Sequence, residues 1–442
     1  MDPAVLARIQ FGMTVAFHFL FPAVTIGMGW IISFMAWRHL RTGEELYDKM
    51  TQFWLRVFAI FFAVGVATGI TMEFQFGTNW ATYARFVGDI FGSPLAAEGI
   101  FAFFLESVFM GVLLFGKNRV SRRFYWFASL MVALGSTLSG FWIVAANSWM
   151  QTPAAYQIVG EGAMRRAELT NFWQAVFNPS TVIRYLHTIA ASLVVGGFFV
   201  AGTSAWYLLK GRHQEFARRS LMIGLVVAAI FTVGVGLMGH LHSIEVWENQ
   251  PLKLATYEGW FVSHDHAGLV LFGYPDAERG ELRYAIVVPN LGSLLLGWNV
   301  NTPVQGMEEW PRDEWPPIIA TFYSYHLMFQ LGLLMIGISW LGIILREKRF
   351  TSRLYLRLLL YTIPIPWIVV ELGWMAAELG RQPWAVYGLL RTADAVSVVV
   401  PAGQILFTII LFALIYAALG VLTISLVVRR FRQGPEPVTK EA

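Results

Sequence analysis

Glu371-Leu-Gly-Trp-Met-Ala-Ala-Glu-Leu-Gly-Arg-Gln-Pro-Trp384 closes an apolar run that begins near Leu354. The run is long enough to cross a bilayer, so two carboxylates lie at or near membrane depth. At 100° per residue, Glu371, Trp374 and Glu378 fall within about 60° of one another on one helix face. An ionisable side chain on a spanning helix is costly unless something compensates it. Two compensations fit: Glu378 pairs with Arg381 at the helix end, or it faces a cation inside a bundle, such as a metal or a proton path. The rest of the chain decides between them.

The 442 residues are 56% hydrophobic and 14% charged, with a mean hydropathy of +0.56. Soluble domains are nearer a quarter charged, so the chain reads as an all-α polytopic membrane protein. Cysteine is absent. That excludes disulfides, iron–sulfur clusters, thiolate metal sites and covalently attached c-type haem, and leaves His, Met, Asp and Glu as metal ligands. The formal charge of +4 calls for no nucleic acid, because the basic residues sit in short connections. The N-terminus lacks a basic segment and a small-residue cleavage site, so the first helix is expected to stay.

Nine spans can be drawn: Phe11–Trp37, Leu55–Gly77, Pro94–Gly116, Tyr125–Trp149, Thr181–Leu209, Ser220–Ile244, Pro317–Leu345, Leu354–Leu379 and Val400–Val428. Each exceeds the ~20 residues needed to span the hydrocarbon. The loops after the first, third, fifth and seventh spans, with the tail, hold 21 of the 32 Lys and Arg. The positive-inside rule then puts the N-terminus outside and the C-terminus in the cytoplasm. Residues 1–442 read as one membrane domain, with the long, polar outer connection 245–316 inside it. Loops of that length are usually functional or disordered. Gly65 and Gly69 form a GxxxG that signals close helix packing. Pro22, Pro364 and Pro366 are expected to kink their spans, and the tail from Gln433 to be disordered.

At 1.5 Å per residue, His18 lies about 10 Å below the outer end of its span. Glu98 is expected near the outer start of the third span, with Glu106 about 12 Å further in and about 80° around the axis. His187 falls in an outer second turn, Met328 about 16 Å down its span, and Glu378 at an outer end. Candidate ligands from five helices therefore gather in the outer half, a bias that scattered structural residues would not show. A lone intramembrane His or Met is usually a packed residue, whereas a set at similar depth points to metal or haem. A His–Met pair makes a low-spin electron-transfer haem, and a single ligand leaves a position open for oxygen. His240 and His242 diverge, and His264 and His266 read as solvated loop residues, so copper has no cluster.

With those residues in place, the sequence closely resembles subunit I of cytochrome bd-type quinol oxidases, of the cyanide-insensitive-like kind with a short quinol loop. The matching segments are Arg8-Ile-Gln-Phe with His18-Phe-Leu-Phe, Gly69 to Trp80, Pro94-Leu-Ala-Ala-Glu-Gly with Phe103-Phe-Leu-Glu-Ser107, Gly135 to Ser139 with Ala146 to Gln151, Glu248 through Lys253 to Glu258, and Gly380-Arg-Gln-Pro-Trp384. They run in order along essentially the whole chain.

The resemblance implies three haems: a low-spin haem b on His187 and Met328, a high-spin haem b, and a haem d or a further haem b in its place. His18 and Glu378 are implied as ligands at the high-spin pair with Glu98 close by, and Trp374 as an aromatic between haems. Lys253 and Glu258 are implied in quinol oxidation, and Glu106, with Ser139 nearby, in a proton path from the cytoplasm. Position 326, where Arg is expected, carries His; a neutral His stabilises a reduced haem less.

Function follows as an expectation: a terminal oxidase of the bacterial inner membrane. It oxidises quinol outside, reduces oxygen to water with cytoplasmic protons, and generates a potential without a pump. Lys253 and Glu258, five apart and of opposite charge, would hold the developing oxyanion and take the quinol proton. The implied partners are a second multi-span subunit, a small single-span subunit and membrane lipid. A proton-coupled transporter using Glu98, Glu106, Glu371 and Glu378 is the competing class, but no inverted repeat supports it. A two-haem electron carrier without oxygen chemistry is the other. A spectrum without a Soret band would exclude both haem readings.

Overall fold

The computed structural model describes residues 2–344 and 352–435. Among them are nine helices long and apolar enough to cross a membrane. They are α1 (Pro3–Thr42), α2 (Glu45–Asn79), a continuous rod made of α3 (Ala81–Ala97), a π-helical segment (Glu98–Phe103) and α4 (Phe104–Phe115), α5 (Arg122–Gln151), α7 (Thr181–Leu209), α8 (Gln214–Asn249), α11 (Ile318–Ile344), the broken pair α12 (Arg353–Thr362) and α13 (Ile365–Leu379), and α15 (Ala402–Gln433). The short helices are α6 (Phe172–Val176), α9 (Pro251–Glu258), α10 (Leu291–Gly297) and α14 (Thr392–Ala395).

Local chemistry sets the ends. The Asp2 carboxylate accepts from Ala4 N at 2.9 Å and Pro3 occupies the first turn, where its missing N–H costs nothing. Gly43, at φ 71°, closes α1 with an N–H to His39 O at 2.9 Å. Ser121 caps α5 through Phe124 N at 3.2 Å. Helices overrun the expected spans, because a helix does not stop at the hydrocarbon edge: the third rod starts at Ala81 rather than near Pro94. Pro364 and Pro366 separate α12 from α13, whereas α1 passes through Pro22 unbroken. Leu345, Arg346, Lys348, Arg349 and most of the expected disordered tail lie outside the described residues.

The most apolar windows of α1 and α7 are 72% and 83% buried, against 11% for α15, so α1 and α7 form the centre and α15 the rim. Their contact needs glycine. A Cβ on Gly196 would come 2.7 Å from the Gly27 Cα, and one on Gly224 of α8 2.6 Å from Gly197 O. The expected Gly65 and Gly69 also face α1, with Cβ positions 3.2 Å from Phe21 Cβ and from His18 Cε1.

Among the described residues the spans are all helical, as expected, and short strands occur only in the connections at one end. Three two-stranded antiparallel hairpins gather there: β1 (Tyr156–Val159) with β2 (Arg166–Leu169), β3 (Leu269–Asp276) with β4 (Glu281–Val288), and β5 (Trp384–Val386) with β6 (Leu390–Arg391). They lie in connections rather than spans, where chain outside the hydrocarbon can pair its backbone between strands. The long connection is folded as well. Leu252, Tyr257, Trp260, Phe261 and Met307 form a core that packs on Ala376 of α13. The clustered Arg and Lys mark the opposite end.

Candidate functional site

His18, on α1, has its tautomer fixed by α2. The Thr68 hydroxyl points its hydrogen at Val64 O and Gly65 O (2.9 and 3.1 Å). It therefore accepts from His18 Nδ1–H at 3.0 Å, and Nε2 keeps its lone pair. His187, on α7, has a buried Nδ1 with no hydrogen-bond partner among the described residues. Its Cε1 lies 3.3 Å from where a Cβ on Gly239 of α8 would be. Met328, on α11, has its Sδ 3.0 Å from the Cβ position of Gly373 on α13. Each of these three side chains thus lies over a glycine of the next helix. Trp374 stands between the two histidine regions: its ring is 5.4 Å from that of Phe19 and 5.8 Å from the Arg184 guanidinium.

Glu378 takes the first of the two compensations. It is ion-paired with Arg381, and its Oε1 accepts from Asn147 Nδ2 at 3.1 Å and Gln151 Nε2 at 3.2 Å. Arg381 also donates to Trp384 O at 2.8 Å and to Ala385 O. Arg184, buried on α7, donates to Asn147 Oδ1 at 2.5 Å and Ser148 Oγ at 3.2 Å. Lys253 donates to Gln151 and Gln250. Burial pulls its pKa well below the lysine range and Arg184 pushes the same way, opposed by Glu378 and Glu245. One buried polar network therefore ties Arg184, Arg381 and Lys253 to Glu378.

Lys253 and Glu258 do not share a neighbourhood, contrary to their expected pairing. Five residues on a helix turn side chains about 140° apart, and both are buried, at 4% and 3% exposure. Glu258 faces β3 and α11, where Oε2 accepts from Val270 N at 3.2 Å. Burial raises its pKa to about 7 against the Val270 and Tyr325 hydrogen bonds. His326, two residues before Met328, sets Nδ1 at 2.9 Å from Phe322 O and Nε2 at 3.0 Å from Val270 O.

The two carboxylates of the third rod need two corrections. Glu98 accepts from Ser139 Oγ at 2.7 Å, and Ser139 lies about 18 Å along α5 from Gln151. Glu98 is therefore deep in the bundle, not at its edge. Ser136, and not Ser139, bonds Glu106. The π segment Glu98–Phe103 accounts for this geometry. It absorbs one extra residue, so Glu98 and Glu106 are separated by about 20° around the axis rather than 80°. Both then face α5, where Gly135 admits Glu106: a Cβ there would be 3.0 Å from Glu106 Cβ.

Glu371 has a buried Oε1 with no hydrogen-bond partner among the described residues. The His242 ring lies near that of His187, with centroids 6.0 Å apart and planes tilted by 55°, and no group of three or more His or carboxylates suited to a metal occurs among the described residues. Sequence reasoning missed Arg184, Thr68 and Tyr325. Arg184 had a signal, a lone charge three residues before His187; a Thr and a Tyr in apolar helices had none.

A family model described as "Cytochrome bd terminal oxidase subunit I" matches residues 6–435. The cytochrome bd ubiquinol oxidase subunit 1 of Bacillus subtilis (strain 168) is 40% identical over 99% of this chain and 95% of its own length. The cytochrome bd-II ubiquinol oxidase subunit 1 of Escherichia coli (strain K12) is 33% identical over 100% and 98%. A solved bd oxidase from Geobacillus thermodenitrificans superposes with a TM-score of 0.92 at 30% identity, covering 98% of this chain and 99% of that one. The chain therefore belongs to the cytochrome bd terminal oxidase subunit I family, as a multi-pass subunit of a quinol:oxygen oxidoreductase of the bacterial inner membrane.

Proposed function

We propose that His187 and Met328 hold the iron of a low-spin haem b, and that His18 holds the iron of a high-spin haem, of d or b type. The observation that carries this reading is the glycine beneath each of the three side chains, which leaves room beside a ligand that a Cβ would crowd. The fixed Nδ1 proton of His18 and the unpartnered Nδ1 of His187 suit imidazoles that bind a metal. The guanidinium groups of Arg184 and Arg381, with the Lys253 amine as a further donor, are suited to the carboxylates that haem carries. Glu378 is the proposed ligand of a second high-spin haem. Three donors already engage its oxygens, so ligation requires it to exchange one of them. When bound, haem supplies electron transfer and the reduction of oxygen.

Glu258 is the base for quinol, and its pKa near 7 suits proton transfer at neutral pH. Lys253 acts in the Glu378 network instead of beside Glu258. Glu106, with Ser136, receives protons from the arginine-rich end, which the positive-inside rule makes cytoplasmic, and Glu98, with Ser139, stands next in line. Consuming protons from that side while quinol releases them at the hairpin end builds a potential without a pump. Glu73, an exposed carboxylate among Ile70, Phe74, Ile100, Phe101 and Phe104, marks a face unsuited to lipid; the second subunit covers it. The test is the absorption of the purified protein with haem extraction. A Soret band, a carbon monoxide-sensitive reduced spectrum and two kinds of haem environment are expected. A haem-free protein would overturn the reading, and a reduced spectrum indifferent to carbon monoxide would leave an electron carrier only.

A further inference from the structure

Glu258 ends α9, where Gly259 turns the chain at φ 69°. A Cβ on Gly259 would lie 3.0 Å from Leu282 Cδ1 and 3.1 Å from Phe322 Cε2, so the end of α9 is seated against both β4 and α11. The Tyr325 hydroxyl, on α11, is within hydrogen-bonding reach of the Glu258 carboxylate. Its ring stacks on Tyr257, with centroids 4.7 Å apart and planes 5° from parallel. Tyr257 in turn lies against Gly380, whose Cβ position is 3.2 Å from Tyr257 Cε1. The stack therefore clamps α9 between the ends of α11 and α13, and Tyr325 is three residues before Met328 on the same helix.

We propose that Tyr325 is a positioning residue for quinol oxidation: its hydroxyl donates to Glu258 and fixes the carboxylate that receives the quinol proton. The proposal rests on the reading of Glu258 as the quinol base. In the step, a quinol O–H bond breaks and an O–H bond forms on Glu258, while the electrons go to the oxidase's own acceptors. Val270 N–H holds one carboxylate oxygen. A second donor stops the carboxylate turning and stabilises its anion. The other groups around Glu258 do not compete. His326 reaches it only through the Val270 residue, whose carbonyl it meets. β3 offers backbone alone. Lys253 is turned to Gln151 and Gln250, and Glu245, Glu378 and Arg184 act on the Tyr257 side.

Loss of the donor destabilises the anion, so the pKa of Glu258 rises and the deprotonated base is lost at a higher pH. Tyr325→Phe keeps the ring and its stack. In the holoenzyme, its quinol-dependent oxygen uptake should show an acid limb of kcat/KM displaced upward by about one pH unit. Oxidation of the chemically pre-reduced enzyme by oxygen should be unchanged. Replacing Tyr325 with 3-fluorotyrosine, a stronger donor of nearly the same shape, should move the limb downward. Glu258→Gln should remove the limb and most quinol turnover. If Glu258→Gln retains both, the base assignment fails. If Glu258→Gln behaves as expected but the limb stays at its wild-type position in both Tyr325 variants, Tyr325 is a packing residue and the inference is overturned. Should Tyr325→Phe fail to assemble, the fluorotyrosine arm decides alone.

Discussion

The His187 ring lies on Gly239 of the neighbouring helix, with its Cε1 3.3 Å from where a Cβ would be. Such a gap leaves an alanine just tolerable and anything larger excluded. Gly239→Leu should displace the imidazole and remove the low-spin haem signal, as should His187→Ala and Met328→Leu. The high-spin signals should largely survive in all three. An unchanged low-spin spectrum in His187→Ala and Met328→Leu would reject the ligand assignment.

Thr68 orients His18, so Thr68→Val removes the acceptor of the Nδ1 proton while keeping the shape. Occupancy of the His18 haem should fall by about 10–100-fold in affinity, the usual cost of losing an outer partner of a metal-binding imidazole. Haem content per protein across a dilution series checks it; Thr68→Ser should restore binding.

Glu106 is expected to act in proton delivery and not in holding haem. Glu106→Gln, isosteric and still able to hydrogen-bond Ser136, should keep all haems and their reduction by quinol. It should slow oxygen turnover and the proton uptake measured from the arginine-rich side in proteoliposomes. Normal rates of both would leave Glu106 as a structural carboxyl.

Lys253 and Glu258 serve different neighbourhoods, so their substitutions should not interact. In a double-mutant cycle on quinol-dependent kcat/KM, Lys253→Met and Glu258→Asp should be additive within about 0.5 kcal/mol. A coupling well above 1 kcal/mol would restore the shared site expected from their spacing.

Apolar run length alone located the spans, because crossing a bilayer constrains length more than side-chain detail. The ends were misjudged wherever a helix continues into water, as at Glu45 and Ala81. The ion pair of Glu378 with Arg381 was legible, three apart on one helix. The company of Glu258 was not: Val270 and Tyr325 come from β3 and α11, and only the folding of the long connection brings them together. Position 326 was noticed as a charge difference, yet its contact with Val270 needs the same folding.

The π segment at Glu98–Phe103 also bears on how this chain should be compared and engineered. The alignment of Glu98 with Glu106 depends on the π turn taking up one surplus residue, whose identity matters little. A homologue keeping Glu98, Glu106, Ser136, Ser139 and the same spacing, but running through this segment as plain α-helix, would pass any test of residue identity. Its second carboxylate would nonetheless be rotated by about 100° away from α5. Deleting a single residue between positions 99 and 103 would remove the π turn yet leave the two carboxylates seven apart on a plain α-helix, still about 20° from each other, so the edit should be tolerated where straightening the full-length segment is not.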